Sequence, residues 1–296
     1  MSTTAHDTVD RARFAREWED WHRVHEQRRA DPHGFLAVAA LFWLEPEPQT
    51  YPGIPGRWQT SEGGPVVALA AGESLVVDGR RIEGVHAFGP IAERAAETVG
   101  FAGGVIEVAR RGGRDILRPR RPDFAFLSAY SGTPSYAPDP RWRVQARFVR
   151  YVVPRPHEVG AAVDGISHVY ESPGYLELVL GDETRRLVTF PGHVPGTLNV
   201  LFTDATSGDT TYAANRSLSI DEPDADDRVV VDFNRAVNLP CAYTDFATCP
   251  LPPAENRLSV RIEAGEKTPT ARAHGVVTAY GIEPREGASI EAVRAG

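Results

Sequence analysis

The sequence predicts a mainly β fold, an antiparallel β-barrel or β-sandwich with an N-terminal helical cap. Three observations carry this. Two-residue turn signals (Asp78-Gly79, Gly112-Gly113, Asp164-Gly165, Gly181-Asp182) separate short apolar runs, as hairpin turns do. Trp142, Val144, Ala146 and Phe148 alternate with Arg143, Gln145 and Arg147, the pattern of a half-buried strand. Helical spacing is concentrated near the N-terminus, where Phe14, Trp18, Trp21 and His25 recur at steps of four, three and four.

Taken in order, residues 7–30 form a helix with one aromatic face, ended by Asp31-Pro32 and His33-Gly34. His22 and His25, with Glu19 and Glu26, fall at helical spacings that suit a metal. They are read instead as solvated groups beside the packed aromatic stripe. Residues 35–44 read as a short helix stopped by Pro46 and Pro48. Hairpins follow over 75–86, 105–118, 159–170 and 175–190, with a further strand at 198–202. Residues 221–227 form a solvated acidic loop, and 229–231, 258–262 and 275–280 are strands. The expected organisation is a helical segment at 1–45, a β-rich domain at 46–267 and a C-terminal extension at 268–296.

Composition narrows the class. A chain of 296 residues with 42% hydrophobic content can bury a substantial core. Mean hydropathy is −0.30 and no apolar run approaches the roughly 18 residues that span a bilayer. The first twenty residues lack the apolar core of a secretory signal, so a soluble cytoplasmic protein is expected, with no membrane partner. A net charge of −8 without a basic stripe argues against nucleic acid. Lys267 is the only lysine, and the two cysteines of a cytoplasmic chain are expected to be free thiols. Nucleotide-binding, serine-hydrolase and zinc-protease signatures are absent, and no cofactor or metal is expected.

Residues 229–267 form the most informative stretch. Both cysteines (Cys241, Cys249), four prolines and two Asn-Arg pairs lie in it. Its proline content forbids a helix or an interior strand between the flanking apolar runs. Phe233, Tyr243, Phe246 and Leu251 are groups that bury, so the segment reads as a packed loop that builds a site. Asp232 to Ala236, Asn238, Pro240 to Tyr243, Ala247 to Pro253, Glu255 to Leu258 and Ala264 to Lys267 resemble the C-terminal signature of a bacterial and archaeal family, domain of unknown function 1684. Fainter likeness lies in Gly34-Phe35-Leu36 with Leu41 to Leu44, and in Asp204 to Gly208 with Thr211-Tyr212, where Asn215 replaces a small residue before Arg216. The resemblance implies a family and carries no activity with it.

Chemistry therefore has to be read from residue types. Cys241 is the candidate nucleophile if nearby arginines favour its thiolate; an inert buried thiol is the alternative. His193, in a turn between strands, is the candidate general base. Lys267 could clamp an anion or form a Schiff base. Arg216 and Arg235 offer the planar fork that fits carboxylate or phosphate, or else pair with Asp232, Glu255 or Glu266. Asn234, Asn238, Asn256 and Tyr243 complete the candidate ligand-binding set, with loop bracing and core packing as the competing roles. Arg216, Arg235 and Lys267 are expected to converge on one pocket. The reading is an enzyme acting on a small anionic organic molecule, bound in a β-barrel pocket walled by residues 234–256. A non-catalytic small-molecule-binding protein, or an interaction protein using the proline-rich loop, are the alternatives. No reaction type follows.

Overall fold

The structure is a computed structural model that describes residues 3–163, 165–192, 194–285 and 291–292, with side chains from residue 10 to 285. The chain is mainly β, its strands are antiparallel, and its one long helix is N-terminal.

That helix, Thr3–Arg29, presents the face expected from the aromatic spacing. Trp18 stacks on His22 and Trp21 on His25, with centroids 4.6 and 5.2 Å apart. Both tryptophans are half-buried, and Trp18 Nε1 donates to the carbonyl of Asn234 at 2.7 Å. The helix therefore lies on the start of the signature loop.

An eight-stranded sheet has the order 275–277, 281–284, 41–43, 114–120, 104–111, 96–101, 75–77, 80–82. Two of its hairpins turn at the Gly and Asp-Gly pairs read from the sequence. Asp78 and Gly79 have φ of 48° and 74°, and Gly112 and Gly113 have 58° and 76°, the paired positive values of a type I′ turn. The expected helix over 35–44 is corrected: one 3-10 turn, Phe35–Ala37, is followed by the strand Leu41–Trp43. Residues 275–284, expected as an extension, supply the strand Gly281–Pro284 beside Leu41–Trp43 and the strand Gly275–Val277 beyond it. A Cβ at Gly281 would sit 2.0 Å from the Leu41 carbonyl oxygen, so glycine permits that pairing. A four-stranded sheet (49–50, 57–59, 66–68, 85–87) packs Trp58 and Val67 into the same core as Phe42, Val99 and Leu117.

A seven-stranded sheet has the order 228–232, 143–160, 167–180, 183–191, 198–202, 216–220, 237–238. Among the described residues no pairing joins its two edge strands. Two of its strands are longer than read: Arg143–Gly160 and Ser167–Leu180 run as single strands through Pro154, Pro156 and Pro173. The register is interrupted between Arg150 and Arg155, which accommodates prolines that cannot donate to a ladder. Residues 258–262 are not a strand, another correction. Leu258 and Ile262 are buried, but in irregular backbone against Phe202 and Phe233. A third cluster, with Leu36, Ile116, Phe126, Tyr243 and Phe246, joins the two sheets through the signature loop.

Candidate functional site

The signature loop holds its shape with buried side chains that replace a strand ladder. Asn256, fully buried, accepts from the Val188 amide at 2.7 Å and donates to the carbonyls of Val188 and Leu201 at 2.9 and 2.7 Å. Asn234 does the same for Asp139, whose amide and carbonyl it engages at 2.8 and 3.0 Å. Arg216 is 1% exposed and bonds Asp204 at 2.6 Å and the carbonyls of Ala264, Ile262 and Glu266. These three side chains turn their polar groups to protein partners and brace the loop, the competing role. A buried backbone without a ladder needs its polar groups satisfied by side chains, and these supply them.

The expected convergence of Arg216, Arg235 and Lys267 does not form an open cationic pocket. Asp204 neutralises Arg216, Arg235 lies over the Trp21 ring and 3.8 Å from Asp232, and Lys267 Nζ lies 4.5 Å from the Tyr136 centroid. Their companions Asn238 and Tyr243 gather instead around Glu266. The Asn238 amide donates to Glu266 Oε2 at 2.6 Å, its Nδ2 donates to the Lys267 carbonyl, and Tyr243 OH donates at 3.3 Å. From the helix, Arg29 reaches Glu266 Oε1 at 2.6 Å and His25 lies 3.4 Å away. Gly265 (φ +73°) allows this turn, since a Cβ there would meet the Ala236 carbonyl oxygen at 2.5 Å. Burial would raise Glu266, but the His25 hydrogen bond and the Arg29 charge hold it below the usual carboxylate range. An open cleft of about 710 Å³, lined by His22, Glu26, Tyr130 and Thr133, adjoins this network. His22, Glu26 and Glu266 lie within 4.8 Å of one another, but Arg29 already holds both carboxylates, at 3.0 and 2.6 Å. His193 lies outside the described residues.

A second cleft lies on the opposite face of the loop. It has a volume of about 590 Å³ and lies between the sheets, walled on one side by Leu239, Pro240, Thr248, Cys249 and Pro250. Arg111 and Arg118 come to it from the eight-stranded sheet, Arg94 from the turn that precedes the strand 96–101, and His168 and Tyr170 from the seven-stranded sheet. Glu107, 4% exposed, pairs with Arg111 at 3.0 Å, Arg118 at 2.5 Å and also Arg120. Burial would push that carboxyl up, but Arg118 and Arg120 pull it down to about 2. Arg94 lies 4.2 Å over the Tyr170 ring. Burial, and then the like charge of Arg118, lower Arg111 from its ordinary value despite Glu107 and Glu93. The described residues lining the cleft include Arg94, Arg111 and Arg118 and no carboxylate.

His168 is 3% exposed, and its Nε2 lies 3.0 Å from the Thr248 carbonyl oxygen. A carbonyl only accepts, so Nε2 carries the proton and Nδ1, which has no protein partner, keeps its lone pair. Burial lowers the ring's pKa and keeps it neutral near pH 7. Beside it the Cys241 amide donates to Cys249 Sγ at 3.2 Å, and both thiols are free. The hydrogen bond from Cys249 lowers Cys241, against burial; the same contact, with burial, holds Cys249 well above the ordinary thiol value. The pair therefore yields its first proton more easily than its second. None of Arg94, Arg111, Arg118 and His168 stands out in the sequence, because nothing local marks them. The one available signal was that Cys249 shares a proline-rich loop with Cys241.

These features define an antiparallel β protein with a helix-braced loop and an arginine-lined cleft. The chain belongs to the family described as protein of unknown function (DUF1684), whose model matches residues 128–267. That match includes the loop, His168 and both cysteines, whereas the three cleft arginines precede it. A solution NMR structure of an uncharacterized protein from Haloarcula marismortui is similar at 33% identity. It covers 48% of this chain and 78% of that one, with a TM-score of 0.41. Among curated proteins nothing matches.

Proposed function

We propose that this chain is an enzyme that binds a small anionic organic molecule in the arginine cleft and acts on it with His168 as general base. One observation carries the reading: the cleft gathers more guanidinium than carboxylate charge beside an imidazole held neutral with its Nδ1 unpaired. Arginine offers carboxylate or phosphate two parallel donors, and a neutral imidazole beside the bound anion can take a proton from it. The seven-stranded sheet then serves as a partial barrel whose open side is walled by the signature loop. Residues 234–256 supply that wall in this reading, which the lining by Leu239, Pro240 and Thr248 to Pro250 supports. The protein is read as cytoplasmic, in keeping with its free thiols. Among the described residues no helix is long and apolar enough to cross a membrane.

The test is a thermal-shift series with carboxylates and phosphates. Binding to the folded state alone raises the melting temperature with ligand concentration. Arg94→Ala removes the response at a small cost to the unliganded melting temperature, because Arg94 is exposed and loses only its contact with the Tyr170 ring. No shift with any anion would end the proposal. Turnover of a binding anion, abolished by His168→Gln, separates an enzyme from a binding protein.

A further inference from the structure

We propose that Cys241 and Cys249 form a thiol–disulfide exchange centre that reduces a low-molecular-weight disulfide bearing carboxylates, held in the arginine cleft. The anionic part of this proposal rests on the cleft reading above; the dithiol part rests on its own geometry. These are the only two cysteines of the chain, and they are adjacent in space on one loop. Cys249 Sγ accepts from the Cys241 amide at 3.2 Å, which sets its sulfur against the backbone of the other cysteine. Cys249 lines the cleft, while Cys241, 1% exposed, stands behind it. That is the arrangement of an attacking and a resolving thiol. Its place in the cleft, and not its acidity, makes Cys249 the attacking thiol: its contact with Cys241 and burial hold it well above the ordinary thiol value against the Arg118 charge, so its oxidation should quicken as pH rises.

The steps balance. The Cys249 thiolate attacks one sulfur of the substrate disulfide RS–SR, whose S–S bond breaks. One RS⁻ leaves and takes up a proton, and Cys249 carries a mixed disulfide. The Cys241 thiolate then attacks Cys249 Sγ and expels the second RS⁻, which is also protonated. Two electrons and two hydrogens pass from the dithiol to two RSH molecules, and the protein is left with a Cys241–Cys249 disulfide. A small-molecule thiol in excess reverses the sequence.

The experiment exposes the reduced full-length protein to oxidised glutathione, an anionic disulfide, or to cystamine, a cationic one, and follows intact mass. The wild type should lose two hydrogens, and faster with the anionic probe by about tenfold or more at low salt, a lead that added salt shrinks. Cys241→Ser should accumulate the mixed disulfide on Cys249, Cys249→Ser should stay unmodified, and Arg94→Ala should cut the anionic lead. A wild type that neither probe oxidises, or a Cys249→Ser protein modified as fast as wild type, overturns the proposal. Two partial failures also overturn it, and they part its two halves. Equal rates for both probes would leave a working dithiol in a cleft with no anion preference. Anion-dependent melting without oxidation would leave the cleft intact and the thiols inert.

Discussion

Arg29 and Glu266, 237 residues apart in the chain, meet at 2.6 Å with each side chain 2% exposed. One comes from the last turn of the N-terminal helix and the other from the end of the signature loop. The pair joins the helix to the family segment, and neither charge has solvent as an alternative partner.

Removing one partner leaves the other charged and buried. Glu266→Gln and Arg29→Met should each cost about 3–5 kcal/mol in chemical denaturation. The double variant should cost less than the two losses added together, because the singles share the penalty of the stranded charge. Additive losses would show that the pair is uncoupled.

Glu107 should govern acid stability. Its folded-state pKa of about 2 lies below the unfolded value of about 4.3, so the unfolded chain binds the proton more readily. Its contribution is complete above the unfolded value and is lost as pH falls through about 4 toward 2. Urea titrations at pH 7 and pH 3 should show a smaller pH difference in Glu107→Gln than in wild type.

His168 should act with the opposite charge and a similar slope. Burial holds its folded pKa below the unfolded value of about 6.5, so the unfolded state gains the proton first. Its stabilising contribution is full above about 6.5 and declines as pH falls toward the folded value. The wild-type minus His168→Gln stability difference should shrink over that window. A flat difference would mean that the ring titrates normally and is not held neutral by the fold.

Trp18 is half-buried, so its truncation should cost less than the loss of a core ring. Trp18→Ala is expected to destabilise by about 1–2 kcal/mol, against about 3–5 for a fully enclosed aromatic. Trp18→Phe isolates the 2.7 Å bond to the Asn234 carbonyl and should cost about 1 kcal/mol. Tryptophan fluorescence during urea unfolding would report both.

The sequence by itself determined what depends on neighbours along the chain. Asp78-Gly79 and Gly112-Gly113 declared their turns because positive φ at both positions suits few residues. The helix face of Trp18, Trp21 and His25 followed from a 3.6-residue period. The signature loop could be read as ordered, because proline excluded regular structure while Phe233, Tyr243 and Phe246 required burial. Local pattern failed first at strand continuity. The shorter runs read around 142–148, 166–170 and 175–180 are parts of Arg143–Gly160 and Ser167–Leu180, which run past Pro154, Pro156 and Pro173 with a register gap between Arg150 and Arg155. Tertiary structure alone decided the partners of charge. Arg216 found Asp204 across 12 residues, Arg29 found Glu266 across 237, and Arg94, Arg111 and Arg118 met Cys249 across a cleft between two sheets. A guanidinium's partner is set by distance in space and by the cost of leaving charge buried, and neither quantity is written in the order of residues.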